Sequence, residues 1–135
     1  MAALRTLLVD DHPDLRKLLR SMLQAKTECV VVGEASDGLQ AVEQAKELQP
    51  DLILLDLSLP KLNGMEAGRR ILKACPHSKI VFLSQDSSPE IVRGALDLGA
   101  AGYLLKSDAS ELPLAVDAIA QGEVFVSRRV KNACA

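Results

Sequence analysis

Apolar positions along the chain fall into two alternating rhythms. Five compact runs, LLV at 7–9, CVVVG at 29–33, LILLD at 52–56, KIVFLS at 79–84 and GYLLK at 102–106, are continuous rather than alternating. A strand that is apolar on both faces must be covered on both faces, the condition of a parallel sheet flanked by helices. The intervals between the runs carry a helical period. Leu15, Leu18, Leu19, Met22 and Leu23 follow the i, i+3, i+4, i+7, i+8 stripe, with Pro13 in the first turn, and predict a first helix. Asp37 with Gln40, and Asn63 with Glu66, have capping-box spacing at the heads of the second and third helices, which Pro50 and Pro76 stop. A fourth helix opens with Ser88-Pro89-Glu90 and closes before Gly99. A fifth is predicted from about Ser110 to Gln121, with Ser110 as N-cap so that Pro113 falls in the first turn, and with Gly122 at its end.

Five strands alternating with five helices predict a doubly wound α/β domain with a five-stranded parallel sheet. The expected strand order is 2-1-3-4-5, the flavodoxin-like arrangement. Its chain direction reverses between the first and third strands, and ligands in such sheets bind outside the carboxyl ends at that switch point. The strand ends are therefore where chemistry is to be sought.

Composition narrows the classes. The 135 residues suit one domain, and with 48% hydrophobic but only 2% aromatic residues (Phe82, Tyr103, Phe125) the core must be built from Leu, Val, Ile and Ala. A formal charge of −2 with no basic block is a poor footprint for binding nucleic acid directly. Cys29, Cys75 and Cys134 are odd in number and lack metal-ligand spacing, which predicts free thiols in a reducing compartment. No apolar run approaches the ~18 residues of a membrane span, so a soluble, cytoplasmic protein is expected.

The predicted strands end in Asp10-Asp11, Asp56, Ser84 and Lys106. Asp56 is the one charge in LILLDLSLP, and an isolated buried carboxylate is costly enough to need a counter-ion or an exit to water. Three carboxylates in one crevice repel one another unless a cation holds them, and oxygen ligands of this kind suit Mg²⁺. A hydroxyl and an ammonium opposite them suit an incoming phosphoryl group. Asp56 is then available as a carboxylate nucleophile.

LLVDDHP, DLILLDLSLPKLNG, IVFLSQ and GAAGYLLKS, in this order and at this spacing, resemble the receiver domain of bacterial two-component response regulators over residues 4–122. DDHP and GYLLKSDA are similar to the NarL/FixJ subfamily, whose effector is a LuxR-type helix-turn-helix. The resemblance implies phosphorylation of Asp56 by a sensor histidine kinase, a direct Mg²⁺ ligand at Asp11, and Asp10 acting through water. It further implies a ligand in the backbone carbonyl of Ser58, a phosphoryl contact from Lys106, and a switch pair in Ser84 and Tyr103. Pro60 and Gly64 match the turn that folds back over the site. Residues 1–122 would form the receiver unit, and 123–135 a tail or the start of a linker to an effector controlling transcription. Phosphorylation-dependent homodimerisation through helices 1 and 5, or through helix 4, strand 5 and helix 5, is also implied.

Two positions depart from the pattern. Gln85 follows the switch hydroxyl where a small residue is common, and Ser107 stands where many receivers have a cis proline. A cis bond to a non-proline costs roughly 2.5–4 kcal/mol, which leaves the geometry of that peptide open. His12 reads as a capping or surface residue, and His77 is assigned no role. Tyr103, three residues before Lys106, is expected on the opposite face of its strand with a partly exposed ring. The tail, with Phe125, Arg128, Arg129 and Lys131, reads equally as a linker or as a strand-like coda on its own domain. A haloacid-dehalogenase-type phosphatase is the competing class, but it requires a second acid two residues after the nucleophile, where Ser58 stands. A pseudo-receiver would lack an acid or the lysine, and neither is missing.

Overall fold

The computed structural model describes residues 3–130. In chain order the elements are β1 (Arg5–Val9), α1 (Pro13–Lys26), β2 (Val30–Ala35), α2 (Gly38–Leu48), β3 (Leu52–Asp56), α3 (Gly64–Ala74), β4 (Lys79–Ser84), α4 (Pro89–Leu98), β5 (Gly102–Leu105), a 3-10 segment (Lys106–Glu111), α5 (Leu112–Ala120) and β6 (Phe125–Val126). The strands form one parallel sheet in the order β2-β1-β3-β4-β5-β6.

The continuous apolar runs are explained by two cores, one on each face of this sheet. Leu7, Ile53, Leu55, Ile80 and Phe82 pack with Ala41, Ala67, Ile71 and Val92 of α2, α3 and α4. On the other face Leu8, Leu54, Val81, Leu83 and Leu104 pack with Leu19 and Leu23 of α1 and with Leu112, Val116 and Ile119 of α5. Each fully buried aliphatic side chain contributes about 1.5–3 kcal/mol, and an aromatic-poor core reaches its stability by many such residues.

Capping follows the expected spacing in one direction only. The Asp37 carboxylate accepts from the Gln40 backbone N–H at 2.8 Å, and the Asn63 side chain accepts from Glu66 N–H at 2.9 Å. The return bonds are spent elsewhere: Gln40 Oε1 accepts from Ser36 N–H, and Glu66 pairs with Arg69 and Arg70. Ser88 stands at the head of α4 without a side-chain cap.

Two expectations need correction. The sheet has six strands rather than five, because Phe125–Val126 in the tail pairs with Gly102–Tyr103. The edge that β5 would have presented is thereby covered. The α-helix of the fifth segment begins at Leu112, not Ser110, which lies inside the 3-10 segment. Pro113 explains the shift: it lacks an N–H and is accommodated in the first turn, so the regular helix starts beside it. Cys29 and Cys75 are free and buried, as expected, while Cys134 and Lys131 lie outside the described residues.

Candidate functional site

The site is assembled from the carboxyl ends of β1, β3, β4 and β5, to which the strand order gives neighbouring positions. Asp56, the last residue of β3, is buried, and its register partner on β4 is Leu83. Its Oδ1 accepts from Ser58 N–H at 3.0 Å and its Oδ2 from the Lys106 ammonium at 3.0 Å. Lys106 follows β5 directly and reaches both acids, its Nζ lying 3.1 Å from Asp10 Oδ2. A partnered carboxylate at a strand end is thus the answer to the lone charge in LILLDLSLP.

The protonation balance follows from this packing. Burial pushes the Asp56 carboxyl above its ordinary range, and the neighbouring Asp10 charge adds to the rise, against the opposing Ser58 N–H and Lys106 ammonium. Burial alone would lower the Lys106 ammonium, but hydrogen bonds to Asp56 and Asp10 outweigh it and raise its pKa. The ammonium therefore remains charged and holds two carboxylates that would otherwise repel.

Asp10, Asp11, His12 and Asp56 bring one candidate ligand atom each to within 4.8 Å of one another. Asp10 Oδ2 is buried and faces the Lys106 ammonium at 3.1 Å. Three carboxylates converging this closely, with one ammonium between two of them, fit a hard divalent cation such as Mg²⁺, which prefers oxygen ligands. His12 sits at the N-cap position of α1, but its side chain caps nothing. It is two-thirds exposed, with Nδ1 3.0 Å from both Asp10 Oδ1 and Asp11 Oδ1. The surface reading of His12 stands and the capping reading does not.

The loop after β3 is pressed against this pocket. A Cβ on Gly64 would lie 2.1 Å from the Asp56 carbonyl oxygen, so only glycine permits the approach. The Gly64 N–H donates to Leu57 O at 2.9 Å, and Lys61 adopts a left-handed φ of 67°. Pro60 lies in this turn, its carbonyl accepting from the N–H groups of Leu62 and Gly38.

Ser84 and Tyr103 meet through one residue. The Ser84 hydroxyl accepts from Asp86 N–H at 2.9 Å, and the Tyr103 hydroxyl donates to the Asp86 carbonyl. Contrary to the expected partial exposure, Tyr103 is 0% exposed. Its core includes Val92 and Ala95 of α4 and Val130, and the sixth strand sets Val126 beside it in register. Burial raises the Tyr103 phenol pKa, with the Ser84 hydroxyl opposing and the Asp86 charge adding. Gln85 is exposed beside the pocket, and the Lys106–Ser107 peptide is trans. His77 is exposed in the turn between α3 and β4.

Sequence reasoning passed over two residues. Arg16 donates through Nη1 to the Asp10 carbonyl at 2.5 Å and through Nε to Glu34 Oε1 at 2.9 Å, and Glu34 also pairs with Arg20. Its signal was available: a charged residue in the first turns of α1, close to the DD pair. Ser127, buried at 0% exposure, accepts from Leu105 N–H at 2.8 Å. One polar residue after the apolar pair Phe125–Val126 was its only mark in the sequence.

The chain belongs to the response regulator receiver domain family, whose match spans residues 6–117. It is 42% identical over 122 residues to the nitrate/nitrite response regulator protein NarL of Escherichia coli (strain K12), covering 90% of this chain and 56% of that protein. The chain thus spans a little over half the length of this curated relative. A LuxR-family two-component response regulator from Aurantimonas sp. SI85-9A1 superposes with a TM-score of 0.92 at 32% identity, covering 98% of this chain and 96% of that one. The signal receiver domain of NarL from Mycobacterium tuberculosis gives a TM-score of 0.83 at 34% identity, covering 91% and 100%.

Proposed function

We propose that this chain is a phospho-accepting switch in which Asp56 takes a phosphoryl group from the phosphohistidine of a sensor histidine kinase. The observation that carries the reading is the bridge made by Lys106, which holds the buried Asp56 and Asp10 carboxylates together. In the transfer an Asp56 carboxylate oxygen forms a bond to phosphorus as the phosphorus–nitrogen bond breaks, and the released histidine nitrogen ends protonated. Asp11, Asp56 and the Ser58 carbonyl would hold Mg²⁺ directly, and Asp10 through water. The cation supplies positive charge opposite the oxygens of the transferring group. Lys106 redirects its ammonium from the carboxylates to a phosphoryl oxygen, and the Ser84 hydroxyl donates to another.

On this reading the chain turns over no substrate besides its own aspartyl phosphate. Residues 1–122 form the receiver unit, residues 125–130 dock on it, and the chain beyond leads toward a DNA-binding effector, through which a longer protein would control transcription in the cytoplasm. The chain itself does not bind DNA. Phosphorylation favours homodimerisation, for which the faces of α1 and α5 offer exposed Leu18 and Leu114; the α4–β5–α5 face is the alternative. Light scattering that gives one unchanged mass before and after confirmed phosphorylation would exclude the dimer.

Acetyl phosphate with Mg²⁺ tests the reaction. Intact-mass measurement is expected to show one added phosphoryl group on the parent and none on Asp56→Asn. Equal labelling of the variant would remove Asp56 from its role.

A further inference from the structure

We propose that Ser127 is a positioning residue for Lys106, and that docking of the C-terminal segment Phe125–Val130 is thereby coupled to occupancy of Asp56. The inference rests on the phospho-acceptor reading above and adds to it a route by which the site addresses the chain beyond α5.

The segment grips the chain on both sides of Lys106. Upstream, Phe125 N–H donates to Ala101 O at 3.0 Å and Ser127 N–H to Tyr103 O at 2.9 Å, extending the short β5–β6 pairing. Where backbone pairing stops, the Ser127 hydroxyl serves as the acceptor for Leu105 N–H, the residue directly before Lys106. Downstream, Arg129 Nε lies 3.4 Å from Asp108 Oδ1, and Arg128 N–H donates to Glu111 Oε1 at 3.3 Å. Both acids belong to the 3-10 segment that Lys106 opens. Val130 is fully buried in the same core as Tyr103 and Leu105.

Undocking would break several contacts at once. The Leu105 N–H would exchange the Ser127 hydroxyl for water, and the buried Asp108 carboxylate, whose Oδ2 has no hydrogen-bond partner among the described residues, would lose its guanidinium. Such a segment has two states, docked or released, rather than a graded range. A phosphoryl oxygen takes the Lys106 ammonium, otherwise shared between Asp56 and Asp10, into a single charge-assisted bond and so pins its backbone in one place. A pinned Leu105–Lys106 peptide presents its N–H to Ser127 in one orientation, so occupancy tightens docking. Linkage requires the reciprocal, that docking favours occupancy by the same factor.

The test uses the 135-residue chain with Mg²⁺, and beryllofluoride as the phosphoryl mimic. Amide exchange at Leu105 is expected to slow about fivefold on addition of the mimic, the factor one neutral hydrogen bond is worth. Ser127→Ala is expected to lose this slowing and to take up phosphoryl from acetyl phosphate about fivefold more slowly. Arg129→Gln alters an exposed side chain and leaves the core intact, so it serves if the alanine variant does not fold. It is expected to speed Leu105 exchange in the absence of the mimic and to weaken the response to it. A chain that is labelled on Asp56 by intact mass, yet whose Leu105 exchange is the same with and without the mimic, overturns this inference and leaves the phospho-acceptor reading standing. Full retention of the response in both variants overturns it as well. A chain never labelled on Asp56 fails at the earlier reading and takes this one with it.

Discussion

Lys106 Nζ and Asp56 Oδ2 are 3.0 Å apart in space and 50 residues apart in sequence. With Asp10 on the other side of the same ammonium, one positive charge faces two buried negative ones. The pocket therefore carries more negative than positive charge. Asp56 has a raised pKa, the result of burial and of the Asp10 charge. For a carboxyl whose folded pKa is raised, the stability contribution is fully present below the unfolded value near 3.8 and is lost as pH rises through the folded value. At neutral pH Asp56 thus costs stability. Asp56→Asn is expected to stabilise the metal-free chain at pH 7 and to give no gain at pH 3. Thermal unfolding at the two pH values checks this, and Mg²⁺ should narrow the gap by stabilising the parent more than the variant.

The two acids at the end of β1 are not equivalent. Asp10 is buried, with one oxygen taken by His12 N–H and the other facing Lys106. Asp11 is about one-third exposed, and His12 Nδ1 lies beside it. The freer carboxylate is the better direct ligand. Asp11→Asn is expected to weaken Mg²⁺ binding by about tenfold or more, and Asp10→Asn by less. Calorimetric titration of both variants decides, and the reverse order would exchange their roles.

Much of this pocket was legible in the sequence because strand-end residues are set by element order. Once continuous apolar runs imply a parallel sheet, Asp10, Asp56, Ser84 and Lys106 fall at neighbouring carboxyl ends without knowledge of any side-chain contact. The sixth strand was legible only as one of two readings of the tail, the strand-like coda, which the pairing of Phe125–Val126 with β5 bears out. Phe125–Val126 is too short to show a period, and its place depends on the open edge of β5, a tertiary fact. The burial of Tyr103 is a tertiary fact of the same kind, since its core includes Val92 and Ala95 of α4, Val126 and Val130. Arg16 was missed because its partner is a backbone carbonyl, which no spacing of side chains reports.

Gly64 offers a test of how closely the loop is pressed on the site. In a helix alanine is favoured over glycine, so Gly64→Ala at the start of α3 would be neutral or stabilising if propensity governed. A Cβ there would instead meet the Asp56 carbonyl oxygen at 2.1 Å and the Leu57 Cα at 2.6 Å, both backbone atoms that cannot turn aside. The substitution is expected to destabilise by about 1–3 kcal/mol and to slow phosphoryl uptake by displacing Asp56. Denaturant unfolding and mass-detected labelling check the two parts separately.

Ser84 and Tyr103 are joined through the backbone of Asp86, the first by its N–H and the second by its carbonyl. A phosphoryl oxygen on Asp56 is a stronger acceptor than any neutral group within reach of the Ser84 hydroxyl. On the proposed reading Ser84 turns to donate to it, so that Asp86 N–H loses its acceptor and the residue holding the Tyr103 hydroxyl is free to move. Tyr103 then exchanges one partner for another. The ring does not have to be exposed for this, only its hydroxyl bond broken, so its full burial is compatible with a switch role. Tyr103 is the single tyrosine in a chain without tryptophan, and its fluorescence reports the event directly. Ser84→Ala is expected to accept a phosphoryl group on Asp56, more slowly, while losing most of the phosphorylation-dependent change in fluorescence and in dimer fraction. Tyr103→Phe should cost about 1 kcal/mol of stability through the lost bond to Asp86. A Ser84→Ala chain that phosphorylates and dimerises like the parent, with the same tyrosine response, would show that the signal leaves the pocket by another path, for which the segment beyond Leu105 is the next place to measure.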